Sequence, residues 1–271
     1  MLSREFLHAL HNELQALTGK CPVLLGGSYV YGEPTDHSDV DFFVLVPWYR
    51  LFSFRSVIRD WKMKYPAILI NIMIVQKMAF HLGWYYVYGR DSAGRLVRAP
   101  IHKQMMVMSA LKLAYYNFLR FAASGDQKEK SLSQEKIAQK IAIIYTIVEH
   151  TGPTPPLATS RLIHYIPTDL EWVRASLVAK QKGNPILPIS ETTIIETLDR
   201  VFHHSRPYRC FSPATYLIYN LKFLPRGKTL FLWHNPDTMI LQKIRRAIEK
   251  KSDLRQLLTE LTPLIFPVII I

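Results

Sequence analysis

The stretch LLGGS at residues 24–28, followed after ten intervening residues by DVD at residues 39–41, decides the fold of this chain. An apolar run leads into two glycines and a serine, and a second apolar run begins at the aspartates. Side chains two positions apart in a strand project from the same face of a sheet. We therefore expect Asp39 and Asp41 to point the same way, and Val40 to point to the opposite face.

Two carboxylates held side by side repel each other unless a cation lies between them. Mg²⁺ suits such a pair, because it accepts one or two carboxylates and completes its octahedron with waters and substrate phosphates. Gly26 and Gly27 let the backbone turn sharply and approach a ligand closely. Ser28 supplies a hydroxyl and can cap a short helix, whose free N–H groups attract phosphate. The pattern indicates a metal and phosphate site. An ordinary glycine turn beside solvated carboxylates of an edge strand is the alternative.

Gly27, Ser28, Asp39 and Asp41 together resemble the signature of the DNA polymerase β-like nucleotidyltransferase superfamily, in which a glycine-serine turn precedes Asp-x-Asp. The resemblance covers roughly residues 20–100. It implies a small mixed-sheet core. The helical bundle after this core is predicted by the apolar periodicity, and the two together give an α+β fold class. It also implies transfer of a nucleoside monophosphate from a nucleoside triphosphate to an acceptor hydroxyl. In this reading Asp39 and Asp41 hold Mg²⁺ or Mn²⁺ in a two-metal mechanism, and Gly26, Gly27 and Ser28 bind the nucleotide.

The chain departs from the superfamily pattern at the position of the third acid. The next apolar run, residues 68–75, is typical of a strand buried on both faces, and Asn71 is its one polar residue. An amide can offer a carbonyl oxygen, but it carries no charge and cannot accept a proton. We assign Asn71 to the catalytic set beside the two aspartates. Two interpretations stay open: an active enzyme with a base lost or supplied elsewhere, and a catalytically silent relative that binds nucleotide or nucleic acid.

Two other carboxylates are candidates for a replacement base. Asp91 lies in a predicted hairpin turn, and Glu149 lies at the end of a long apolar helix. A turn-forming aspartate and a surface glutamate at a helix end are the commoner roles of such residues. The adjacent pair His203 and His204 is not expected to form one site, because neighbouring residues on a helix point about 100° apart.

Composition bounds the class of protein. The 271 residues are 49% hydrophobic, which is enough for a sizeable core, and the two cysteines show no paired spacing. The first residues carry dispersed charges and no apolar signal segment, so we expect a cytoplasmic protein. The apolar stretch at residues 261–271 contains two prolines and is too short to span a bilayer as a helix. We expect it to pack in the C-terminal part or under a partner.

Charge is distributed unevenly along the chain. Residues 1–100 contain 11 Lys and Arg against 8 Asp and Glu, whereas residues 101–271 contain 23 against 13. A positive field raises the local concentration of anionic partners. The surplus points to RNA or another polyanionic acceptor in addition to the nucleoside triphosphate. A solvated basic surface is the plain alternative.

The apolar periodicity changes near residue 100. We expect a nucleotidyltransferase core over residues 1–100 and a helical substrate-binding or accessory domain over residues 101–271. In the core the predicted helices are 3–17 and 49–64, the strands are 23–25, 39–46 and 68–75, and a hairpin lies within 85–97. In the second part the predicted helices are 103–123, 134–149, 169–181, 191–204, 213–223 and 236–251, with a strand or turn at 229–233.

Overall fold

The computed structural model describes residues 2–31, 34, 38–50, 54–81, 88–98, 103–150, 158–208, 236–250, 253–265 and 269–270. The chain divides into two compact units. One unit contains residues 1–101 together with 268–271, and the other contains residues 102–267.

The first unit alternates helices and strands. Its helices are α1 (Arg4–Thr18), α2 (Ser28–Tyr31), α3 (Phe54–Lys62) and α4 (Lys77–His81). Its strands are β1 (Val23–Leu25), β2 (Val40–Val46), β3 (Ile70–Gln76), β4 (Tyr88–Arg90), β5 (Leu96–Arg98) and β6 (Ile269–Ile270). The predicted strands and the hairpin are therefore present, with bounds shifted by one or two residues.

The strands form one mixed sheet in the order β5-β4-β1-β2-β3-β6. β2 and β3 are parallel, and every other neighbouring pair is antiparallel. In the parallel pair Asp41 lies opposite Asn71. The α+β class expected from the sequence is confirmed.

The two faces of the central strands have different coverings. On one face the even-numbered apolar residues of β2 and β3 are buried with apolar residues of α1 and α3 in a single core cluster. On the other face Phe43, Leu45 and Val75 form a smaller cluster with Phe80 of α4. The alternation of strand side chains puts Asp41 and Asn71 on this second face, at the beginning of their strands. The larger core thus supports the sheet from one side and leaves the polar residues on the other.

The second unit is helical over the residues described. Its helices are α5 (Lys103–Ala123), α6 (Gln127–Glu149), α7 (Thr159–Leu162), α8 (Glu171–Lys182), α9 (Glu191–His204), α10 (Pro236–Glu249) and α11 (Leu254–Ile265). α5 is largely buried and packs against α6, α9, α10 and α11. α8 packs against α6, and Trp172 Nε1 donates a hydrogen bond of 2.9 Å to Thr197 Oγ1 of α9.

Two predicted helix starts are wrong. Helix α6 begins at Gln127 instead of residue 134, because the Asp126 side chain accepts a hydrogen bond from Lys128 N and caps the helix. Over the residues described, the predicted helix 49–64 is a short 3₁₀ turn at Trp48–Arg50 followed by α3 from Phe54. The predicted elements at 213–223 and 229–233 lie outside the described residues.

The expected position of the apolar C-terminal stretch is also wrong for two of its residues. Ile269 and Ile270 pair antiparallel with Ile74 and Met73 of β3, so they belong to the sheet of the first unit. This pairing satisfies backbone groups that an outer edge of β3 would otherwise expose, and isoleucine favours strands. Among the helices described, none combines the length and the hydropathy needed to cross a membrane.

Candidate functional site

The two aspartates of the DVD motif lie at the start of β2. Asp41 is the second residue of the strand, and Asp39 directly precedes it. The backbone between them is fixed by the residue that precedes β3, since Val40 N donates a hydrogen bond of 2.7 Å to Leu69 O. Val40 is fully buried in the larger core, whereas both aspartates are half-buried. The alternation expected from the sequence therefore holds at these three residues.

Asn71 lies between the two carboxylates. Its Nδ2 donates one hydrogen bond to Asp39 Oδ2 and a second, of 3.3 Å, to Asp41 Oδ1. The amide nitrogen must face the carboxylates, because the amide oxygen in its place would repel both of them. An amide in this position lowers the repulsion between the two aspartates. It provides no third negative charge and no proton acceptor.

The glycine turn contacts Asp41 directly. Gly26 N donates a hydrogen bond of 2.8 Å to the Asp41 backbone oxygen. Gly27 has a φ of 63°, and a Cβ atom there would lie 2.2 Å from Asp41 Oδ2. Ser28 begins helix α2, and its Oγ is buried without a hydrogen-bond partner among the described residues. A buried hydroxyl that lacks a partner is uncommon and suggests that a ligand supplies one.

These observations agree with a comparison against known families. Residues 8–112 match the family model described as the nucleotidyltransferase domain. This chain carries a nucleotidyltransferase domain. No curated protein and no solved structure matches the chain significantly.

The matched region contains the glycine turn, both aspartates and Asn71. The match supports the general reaction of nucleotidyltransferase domains, in which a nucleoside monophosphate is transferred from a nucleoside triphosphate. Proteins of this family generally use divalent metal ions. The match does not test which residues of this chain act in catalysis, so the roles of Asp39, Asp41 and Asn71 stay predictions.

The donor set of the nucleotidyltransferase domain fits a divalent cation. Asp39 and Asp41 present carboxylate oxygens on one face of the sheet, and both are linked to the Asn71 amide. Hard cations such as Mg²⁺ prefer oxygen ligands and need few from the protein when a triphosphate supplies others. Within the part of the chain that the structure describes, no group of three or more His, Cys, Asp and Glu residues could hold a metal ion. The third protein group here is an amide.

One contact of the nucleotidyltransferase domain was missed by the sequence analysis. A Cβ atom at Gly26 would lie 2.3 Å from Phe43 Cε2, so the Phe43 ring packs directly under the turn. This contact could have been expected from the sequence, because side chains alternate along a strand and Phe43 therefore lies on the same face as Asp41. Gly26 therefore accommodates an aromatic ring, while Gly27 accommodates a carboxylate.

The two carboxylates considered as replacement bases, Asp91 and Glu149, lie in different environments. Asp91 Oδ1 accepts a hydrogen bond of 2.9 Å from Arg95 N, and Oδ2 accepts one of 2.9 Å from Arg95 Nε. Burial raises the pKa of Asp91, but the hydrogen bonds from Arg95 outweigh it and leave the pKa below its ordinary value. This is the turn-forming role of an aspartate. Glu149 is the last residue of α6 and belongs to the other unit.

Proposed function

We propose that the chain transfers a nucleoside monophosphate from a nucleoside triphosphate to an acceptor hydroxyl, with release of pyrophosphate, at the site formed by Asp39, Asp41 and the glycine turn. The observation that carries this proposal is that two carboxylates at the start of β2 meet a glycine at positive φ, which is followed by a hydroxyl that is buried without a partner among the described residues. An ordinary structural turn has no need to bury the Ser28 hydroxyl without a partner among the described residues.

Each side chain has a distinct role in this proposal. Asp39 and Asp41 would hold Mg²⁺ or Mn²⁺, which when bound neutralises charge on the phosphates and polarises the phosphorus that is attacked. Gly27 leaves space for Asp41 and lets the backbone approach the triphosphate, and Ser28 Oγ would bind a phosphate oxygen. Asn71 positions the two carboxylates through its Nδ2 hydrogen bonds.

The acceptor is proposed from charge. Residues 101–271 contain 23 basic residues against 13 acidic residues, so the second part of the chain attracts polyanions. RNA is the acceptor that this surplus favours, ahead of a protein hydroxyl or a small molecule. Nucleoside triphosphates are plentiful in the cytoplasm, and we place the protein there.

A second candidate function follows from Asn71. Because its amide donates hydrogen bonds to both aspartates, no carboxylate stands at the position where the superfamily usually has its third acid. A catalytically silent relative would keep nucleotide or nucleic-acid binding without transfer. The retained aspartate pair favours activity, since a binding fold has little use for two adjacent carboxylates.

Transfer is tested by incubating the full chain with each labelled nucleoside triphosphate and total cellular RNA, with Mg²⁺ or with EDTA. We expect label in the acceptor only with Mg²⁺, and loss of transfer in Asp39→Ala and Asp41→Ala. Asp60→Ala is the matched control, because Asp60 is an exposed aspartate of α3. Metal-dependent binding without transfer in the parent would support the silent relative. Full transfer activity and unchanged MgATP and MgGTP binding in both site variants would refute the proposed site.

A further inference from the structure

The helical unit contains a cavity whose described lining residues lie outside the region that matches the nucleotidyltransferase domain. Its volume is about 590 Å³, and it lies between the last turns of α6 and α9, the first turn of α8 and residues 164–168. Small-molecule sites usually have volumes of about 300–1,000 Å³. The cavity is therefore large enough for a ligand of nucleotide size.

Aromatic rings line one part of this cavity, and other residues hold them in place. Tyr145 is buried and stacks on His204, with ring centroids 4.6 Å apart and planes inclined by 26°. The His204 side chain is 32% exposed, so its ring is open to a ligand although Tyr145 supports it. Tyr165 also lines the cavity, and its hydroxyl lies 3.2 Å from His150 Nδ1. The aromatic surface is preformed.

Charged groups complete the lining. Arg174 Nη1 donates a hydrogen bond of 3.2 Å to Ile166 O, which fixes one guanidinium group at the cavity. The second guanidinium group belongs to Arg200, whose Nη2 also forms an ion pair of 2.5 Å with Asp169 Oδ2. Among the described lining residues Glu149 supplies the one carboxylate, and its Oε1 lies 3.6 Å from His204 Nε2. That His204 nitrogen is buried without a hydrogen-bond partner among the described residues.

We propose that this cavity binds one nucleotide, as a free nucleoside monophosphate or as a residue of single-stranded RNA. The base packs against the rings of His204 and Tyr165, and Glu149 accepts hydrogen bonds from its N–H groups. Arg174 and Arg200 bind the phosphate. Unpaired bases are commonly recognised in this way, through aromatic stacking and hydrogen bonds to base edges. The choice of a nucleotide among planar anions rests on the proposed function.

The test measures binding by the full chain in EDTA, where the metal-dependent triphosphate site is silent. The probes are fluorescent AMP, GMP, CMP and UMP and a labelled short single-stranded RNA. His204→Ala is expected to weaken binding by about 5- to 150-fold, the effect of losing one base–aromatic stack. His203→Ala is the matched control, because His203 precedes His204 on the same helix and does not line the cavity.

Further variants separate recognition from folding. His204→Phe keeps a ring and should retain most of the affinity, whereas Arg200→Gln should weaken binding of every probe; thermal unfolding checks that each variant is folded. The same affinities in an Asp39→Ala background would show that binding is independent of the transfer site. If the parent binds none of the probes, or if His204→Ala and His203→Ala bind alike, the inference is overturned even where transfer activity is present. Binding of the monophosphates alone, or of RNA alone, supports the site and identifies its source of nucleotide.

Discussion

Replacing Gly27 with alanine would perturb the candidate transfer site in two ways that the structure separates. The first is backbone strain, because Gly27 has a φ of 63°. The second is a steric clash, because the new Cβ atom would lie 2.2 Å from Asp41 Oδ2. Gly94 offers a control in the same unit, since its φ is 76° and a Cβ atom there would meet no atom of a described residue within 4 Å.

The two terms have different magnitudes. A left-handed backbone conformation costs a non-glycine residue about 1–2 kcal/mol, and this cost applies to both Gly27→Ala and Gly94→Ala. Overpacking costs about 1–3 kcal/mol more, and of these two variants it applies to Gly27→Ala alone. We therefore expect a decrease in the free energy of unfolding of about 1–2 kcal/mol for Gly94→Ala and about 2–5 kcal/mol for Gly27→Ala. The clash is relieved if the Asp41 carboxylate rotates, and rotation moves it from the Asn71 amide and from the proposed cation.

Chemical denaturation in EDTA measures the difference in the free energy of unfolding, and titration with MgATP and MgGTP measures the difference in nucleotide affinity. We expect Gly94→Ala to bind both nucleotides as the parent does and Gly27→Ala to lose most of its affinity. The close approach of Gly27 to Asp41 would have no functional meaning if Gly27→Ala were as stable as Gly94→Ala and bound both nucleotides with the parent's affinity.

Three other substitutions have defined outcomes. Asn71→Asp replaces an amide donor by a third negative charge, so we expect the free energy of unfolding in EDTA to fall by about 1.5–3 kcal/mol or more. With Mg²⁺ we expect this stability to recover and the transfer rate to be at least equal to the parent's. Equal stability of Asn71→Asp and Asn71→Ala in EDTA would contradict the charge argument. Burial lowers the pKa of His11, whose Nε2 donates a hydrogen bond to Val23 O. We therefore expect the stability of the protein to fall as the pH decreases from about 6.5 toward the lower pKa of His11 in the folded state. A His11→Gln variant with the same dependence of melting temperature on pH would refute this cause. Asp126→Ala removes the cap of α6 and should cost about 1 kcal/mol by thermal unfolding, and an unchanged melting temperature would show that the cap contributes nothing.

The sheet and the placement of the aspartates could be predicted from the sequence because alternation with a period of two is a local signal. Asp39, Asp41 and Asn71 each stand within or beside an apolar run, and the parallel register of β2 and β3 then brings the three side chains together. The sequence also indicated that Asn71 belongs with the aspartates. It could not show that the amide donates hydrogen bonds to both carboxylates, since that depends on side-chain geometry.

Errors arose where a boundary depends on one capping group or on a contact distant in sequence. The predicted helix 134–149 leaves out the polar residues after Asp126, although an aspartate followed three residues later by Glu129 is also a signal for a helix start. The pairing of Ile269 and Ile270 with β3 had no local signal, because an apolar terminal stretch is compatible with many packing partners. The cavity in the helical unit depends on four separate segments, and the sequence analysis dismissed His204 because it considered only the adjacent histidine.

The pairing of β6 with β3 has a consequence for protein synthesis. Met73 lies opposite Ile270, so about 200 residues must be added after Met73 before this edge of β3 gains its neighbour. At about 5–20 residues per second, the ribosome needs roughly 10–40 s to make that segment. During this interval an apolar strand presents an unpaired edge, the kind of surface that promotes association with other chains. We therefore expect the nascent protein to expose this edge of β3 while its helical unit is being made.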